Sequence, residues 1–108
     1  MEFSFKSGKL RKQLESNKEM RKAFGDNRAK PLQRRLTELR KATSLDHVER
    51  SPPPRCHELQ GQDAGVFSVD VTENYRLLFQ PDPFVTGHVD WAKVVKIKIL
   101  GVKDTHKR

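Results

Sequence analysis

The 108-residue chain lacks most of the groups that staple or anchor a small protein. It has one cysteine, Cys56, so no disulfide can close within it, as expected of a protein in a reducing compartment. Cys56 and the four histidines fall into no zinc-ligand spacing. No apolar run approaches the roughly 20 residues of a membrane span, and the first residues lack the apolar stretch of a signal peptide. A cytoplasmic location without membrane contact is therefore the expectation. One Trp, one Tyr and a hydrophobic share of 34% leave material for only a thin core. A domain of this length buries only about two-thirds of its unfolded surface, so modest stability without a partner is expected. Neither an internal repeat nor a low-complexity segment divides the chain, and one domain over residues 1–108 follows from its length.

What is abundant is positive charge. The net charge is +8 and the isoelectric point about 9.9, which points to an anionic partner. Residues 1–50 carry 14 Lys and Arg against 7 Asp and Glu, whereas residues 51–108 carry 8 against 7. The first half supplies the field and the second half carries the specific residues. This asymmetry places nucleic acid ahead of acidic protein or lipid.

Met1-Glu-Phe-Ser-Phe5 alternates briefly and predicts a first strand. Ser7 is a suitable cap for a helix starting near Gly8, and Leu10, Leu14, Met20 and Phe24 share one arc of that helix. Gly25 ends it. Asp26 or Asn27 then caps a second helix with Pro31 in its first turn and Leu32, Leu36 and Leu39 as a narrow apolar stripe. Lys9, Lys12, Arg34, Arg35 and Arg40 lie on the basic exterior of this pair and are the candidate nucleic-acid contacts. Residues 44–56, with Pro52 to Pro54, read as a stiff extended connection. Gly61 to Gly65 is a polar turn. Phe67, Val69 and Val71, then Tyr75, Leu77 and Phe79, alternate with polar residues on either side of Thr72-Glu73-Asn74, the pattern of a β-hairpin. If Tyr75, Leu77 and Phe79 face the core, Arg76 points to the opposite face. Trp91 to Val102 reads as the last strand, with Val95, Ile97 and Ile99 inward. The order β-α-α-β-β-β argues an α+β fold, with two helices packed on one face of a small antiparallel sheet and the other face left for a ligand.

Four stretches carry a resemblance: Pro54-Arg-Cys-His-Glu-Leu-Gln-Gly61, Phe67-Ser-Val69, Asn74-Tyr-Arg-Leu-Leu-Phe79 and Ile99-Leu-Gly-Val-Lys-Asp-Thr-His106. Together they resemble the RelE/ParE superfamily of toxin–antitoxin toxins, and within it the HigB branch, also called plasmid maintenance system killer proteins. The likeness spans nearly the whole chain, including the element order. It implies a toxin of a type II toxin–antitoxin module that acts as a ribosome-dependent, metal-free mRNA endonuclease and arrests translation. It also implies a helix-turn-helix antitoxin as partner, and operator DNA bound only through that antitoxin. The histidine of the family's His-x-Leu-x-Gly segment matches His57, the strand arginine matches Arg76, and the Asp-Tyr-His ending matches Asp104, Thr105 and His106. Thr105 stands where tyrosine is common, which removes a ring. Gln60 stands where lysine is frequent, which removes a charge beside the scissile phosphate.

Those residue types suit the chemistry. Cleavage of RNA to a 2′,3′-cyclic phosphate requires a base for the 2′-hydroxyl, a cation for the phosphorane and an acid for the departing 5′-oxygen. Histidine, with an ordinary pKa of about 6.5, serves either proton role. Arginine donates a planar fork to phosphate and stays charged. His57 and His106 can exchange roles, and Asp104 can orient His106 or act as a base itself. Two other readings stand beside the enzyme: a non-enzymatic gyrase inhibitor of the ParE kind, and a toxin that has lost catalysis and only binds its antitoxin.

Overall fold

A computed structural model of the chain describes residues 1–105. The sequence-predicted first helix is two. Ser7 accepts a hydrogen bond from the Leu10 amide and starts α1 (Gly8–Leu14). Ser16 does the same for the Glu19 amide and starts α2 (Asn17–Phe24). The break lies between two buried anchors, Leu14 and Met20, so each short helix still buries its apolar side. α3 (Asp26–Lys41) follows at once, and its N-cap is Gly25, without a side-chain cap, rather than Asp26 or Asn27. Pro31 also lies deeper than its sequence position suggested. It is the sixth residue of α3, inside the helix, where its ring nitrogen cannot donate to the carbonyl four residues back.

The sheet has five strands, β1 (Glu2–Phe5), β2 (His57–Glu58), β3 (Phe67–Asp70), β4 (Tyr75–Pro81) and β5 (Lys96–Asp104), in the order β1-β5-β4-β3-β2. Four of them form an antiparallel run from β2 to β5. β1 joins the far edge in parallel with β5. The last strand therefore starts later than its apolar pattern predicted. Trp91–Lys93 is a 3₁₀ turn, and Val95 is exposed ahead of the strand.

The α+β architecture, with helices on one face, stands. Phe67, Val69, Leu77, Phe79, Ile97 and Ile99 are fully buried on the helix side of the sheet, and Leu32, Leu36 and Leu39 of α3 are among the helix residues that complete the core. Phe67 stacks on Phe79 with centroids 5.9 Å apart and meets the edge of Trp91 at 5.0 Å. Each such side chain contributes roughly 1.5–3 kcal/mol by leaving water. The N-terminal ammonium of Met1 donates to the carbonyls of Leu39, Arg40 and Ala42, which places a positive charge on the C-terminal end of α3. No helix among the described residues is long and apolar enough to cross a membrane.

One irregularity sets the phase of the site. Ile99 pairs with Phe79 but Gly101 pairs with Leu78, so Leu100 is an extra residue in β5. This β-bulge reverses the inward–outward alternation beyond it.

Candidate functional site on the helix-free sheet face

The side chains of a strand alternate, and directly paired residues share a face. With Tyr75, Leu77 and Phe79 towards the core, Arg76 and Leu78 face away from the helices. The register then builds two rows on the open face: His57, Ser68, Leu78 and Gly101 in one, Asp70, Arg76 and Lys103 in the next. Strand spacing puts His57 and Arg76 about 10 Å apart across the sheet and about 7 Å along it.

His57 is half-buried on the two-residue strand β2. Its Nδ1 lies 2.9 Å from the carbonyl oxygen of Arg55. A carbonyl only accepts, so Nδ1 carries the proton and Nε2 of the neutral ring is left as an acceptor. Arg55 itself adopts a left-handed backbone with φ 49°. Its guanidinium grips Asp70 at both oxygens, Nε to Oδ2 at 2.8 Å and Nη2 to Oδ1 at 3.0 Å. That hydrogen bond holds the arginine's pKa above its ordinary value. Arg76 approaches the same carboxylate only loosely, with Nη1 3.7 Å from Oδ1. Its Nε is buried without a hydrogen-bond partner, as is the Oγ of Ser68 in the neighbouring row. Beside these rows runs a groove of about 580 Å³, lined by apolar residues such as Leu59 and Leu78 and edged by charges of both signs, Lys6 and Lys103 with Asp63 and Asp104.

The residues expected from sequence are distributed as follows. His57 and Arg76 share the open face. Asp104 pairs with Tyr75, and so turns towards the helix side at the end of β5, where Arg28 covers the Tyr75 ring at 3.7 Å. The exposed Lys103, not Asp104, is the direct neighbour of Arg76. His106 lies outside the described residues. Thr105 is exposed and holds the end of β5, its amide and hydroxyl both donating to the Asn74 carbonyl at 2.7 and 3.0 Å. Gln60 is exposed in the loop after β2.

Lys9, Lys12, Arg34 and Arg40 are exposed on the helices, Arg40 lying 4.3 Å over the Phe3 ring. Arg35 requires a correction. It is buried, its Nε donates to the Asp70 carbonyl at 2.7 Å, and Nη1 is bound to the Glu38 carboxylate at 2.7 and 2.8 Å. It fastens α3 to the sheet and is not presented to RNA.

Arg55, Asp70 and Lys103 belong to the site but were not singled out in the sequence. Period-two alternation gives the face of Asp70, and the register that sets it beside Arg76 comes from the hairpin pairing. The long-range pairing of Arg55 with Asp70 left no local signal. Among the described residues, no group of three His, Cys, Asp or Glu side chains is placed to hold a metal ion.

The backbone arrangement is shared with solved structures. A YoeB/ParE toxin from Agrobacterium tumefaciens superposes with a TM-score of 0.58 over 96% of this chain and 98% of its own, at 10% identity. The chain has the YoeB/ParE toxin fold. A chain of a YoeB–YefM complex from Staphylococcus aureus matches with a TM-score of 0.57 at 14% identity, covering 95% of this chain and 94% of that one. A YoeB dimer from the same organism matches with a TM-score of 0.56 at 16% identity and the same coverage. No protein-family model and no curated protein matches the sequence. At these identities the YoeB/ParE likeness carries the fold, and the chemistry must be argued from the side chains of this chain.

Proposed function

We propose that the chain is the toxin of a type II toxin–antitoxin module, of the HigB kind, and that it cleaves mRNA on the ribosome. One observation carries this reading. A histidine whose tautomer leaves Nε2 free shares an open sheet face with two adjacent cations, Arg76 and Lys103. The toxin fold of the structural neighbours supports the same reading at the level of architecture.

In the proposed reaction His57 Nε2 takes the proton of a ribose 2′-hydroxyl. The 2′-oxygen bonds to the adjacent phosphorus while the bond to the 5′-oxygen breaks, giving a 2′,3′-cyclic phosphate and a 5′-hydroxyl. Arg76 and Lys103 stabilise the charge that accumulates on the phosphorane oxygens. Proton donation to the leaving oxygen falls to His106 in this scheme, a role it can exchange with His57, and Asp104 at the end of β5 is the residue offered to orient it. No step in this scheme calls for a metal or other cofactor. Lys9, Lys12, Arg34 and Arg40 supply sequence-independent affinity for ribosomal RNA. The partner is a helix-turn-helix antitoxin that brings the complex to operator DNA, and the place of action is the cytoplasm, where ribosomes are.

Primer extension on mRNA from ribosomes programmed in the presence of the protein tests the reading. Discrete cleavage sites are expected, and they should vanish with His57→Ala and with Arg76→Ala while co-sedimentation with ribosomes persists. Intact mRNA together with blocked gyrase supercoiling overturns it in favour of a gyrase inhibitor. Intact mRNA with antitoxin binding alone identifies a toxin without catalysis.

A further inference from the structure

Among the described residues, Arg55 touches both halves of the candidate site. Its carbonyl fixes the His57 ring, and its guanidinium occupies both oxygens of Asp70. Asp70 is paired directly opposite Arg76 across β3 and β4, so a free carboxylate there would be the natural partner of the Arg76 fork. Instead the contact is long, 3.7 Å, and the Arg76 Nε stays unbonded. The closer and doubly hydrogen-bonded pair is Arg55 with Asp70.

We propose that Arg55 is a positioning residue that holds Asp70 off Arg76, keeping the Arg76 guanidinium open for an RNA phosphate. The contest is between two arginines for one carboxylate. While Arg55 wins, Asp70 is hydrogen-bonded at both oxygens, the Arg76 Nε stays buried and unbonded, and the partly exposed end of the Arg76 guanidinium stands 3.7 Å from the carboxylate, close enough to the open face for a phosphate to take. Without the Arg55 guanidinium, the Asp70 carboxylate closes on Arg76 and fills the donors that a phosphate would use. The left-handed backbone of Arg55 serves the second task, because it turns the carbonyl towards the His57 Nδ1. The activity arm of this inference rests on the endonuclease reading above. The competition for Asp70 does not.

The test uses Arg55→Gly, Asp70→Asn and the double variant in the full chain. Glycine accepts the left-handed backbone, so Arg55→Gly removes the guanidinium while His57 keeps its carbonyl partner. Arg55→Gln serves the same comparison if the glycine variant does not fold. Cleavage of ribosome-bound mRNA is expected to fall about 100-fold in Arg55→Gly. Adding Asp70→Asn should recover roughly tenfold or more of that loss, because the competing charge is gone. A merely structural bridge gives the opposite pattern, with the double variant no better than Arg55→Gly, and that result overturns the proposal.

A second readout is independent of activity. The Arg76 Nε–H resonance in a ¹⁵N-arginine spectrum should shift in Arg55→Gly and return in the double variant. If it is the same in wild type and Arg55→Gly, the proposal fails. If the wild type cleaves no mRNA, the endonuclease reading falls, and this resonance alone decides whether Arg55 controls Arg76.

Discussion

At the scale of single residues, the proposed chemistry turns on Arg76. It is partly buried, its Nε is unbonded, and its neighbours across the sheet are one anion and one cation, Asp70 and Lys103. Arg76→Ala should lower mRNA cleavage by about 10²–10³-fold, and Arg76→Lys should restore little, because an ammonium does not reproduce the fork. Lys103→Ala should cost less, about tenfold, since Lys103 is exposed and acts as a point charge. Equal losses in Lys103→Ala and Arg76→Ala, measured by single-turnover cleavage, would show that the fork is not what matters. The face of Arg76 was legible in the sequence, because Tyr75, Leu77 and Phe79 mark every second position of β4. Lys103 was not. Unbroken alternation from Ile97 and Ile99 turns Lys103 inward and Asp104 outward, and the extra residue Leu100 exchanges them. A bulge of that kind leaves no trace in a period-two pattern. Arg35 was misread for a related reason: a charged residue beside an apolar stripe looks solvent-facing until its distant partner, the Asp70 carbonyl, is known.

The elements show the same division between local and distant signals. The β3–β4 hairpin, the first strand and α3 were legible from periodicity and punctuation. The two-residue strand β2 and the parallel pairing of β1 with β5 were not, since both depend on partners far along the chain. The break between α1 and α2 did have a local signal in Ser16, followed three residues later by Glu19. Ser16→Ala should cost about 1 kcal/mol in urea unfolding, whereas no change in midpoint would mean that the cap bond to the Glu19 amide is idle. Pro31 inside α3 predicts the reverse sign. Pro31→Ala should stabilise by about 1–3 kcal/mol, provided the new amide reaches the carbonyl four residues back, and a lowered thermal midpoint would rule this out. Cys56, just ahead of β2, adds a pH dependence. Burial pushes its thiol up from 9.0 to about 12. The folded state thus keeps a proton that the unfolded state releases above about pH 9. The stability tied to the neutral thiol is fully present below pH 9 and falls as pH rises towards 12, by up to about 1.4 kcal/mol per unit. Cys56→Ala should flatten the stability curve over that window, and a curve of unchanged slope would exclude the thiol as its source.

On the proposed reading, the whole molecule separates affinity from chemistry. The helices carry exposed Lys9, Lys12, Arg34 and Arg40 on one side of the sheet, while His57, Arg76 and Lys103 occupy the other. A protein that binds one large polyanion through the first set and cuts a strand with the second needs the two on different surfaces of a narrow body. Its principal extents are 36 × 30 × 25 Å, so the helix cations and the open sheet face lie within a few nanometres of each other. This arrangement predicts independent losses. With Arg35 committed to Asp70 and Glu38, four helix cations remain for phosphate contact, and the log–log salt slope of ribosome binding should be roughly −2.8 to −3.6. Reversing Lys12, Arg34 and Arg40 to Glu removes three of the four and adds repulsion. Ribosome affinity should then fall steeply and its salt dependence should nearly disappear. His57→Ala and Arg76→Ala should leave both quantities close to wild type. Sedimentation with ribosomes from 50 to 300 mM salt measures the two sets on one scale. If the charge reversal leaves the slope intact while Arg76→Ala removes it, the anchoring surface is the open sheet face, and the helices serve only to cover the core.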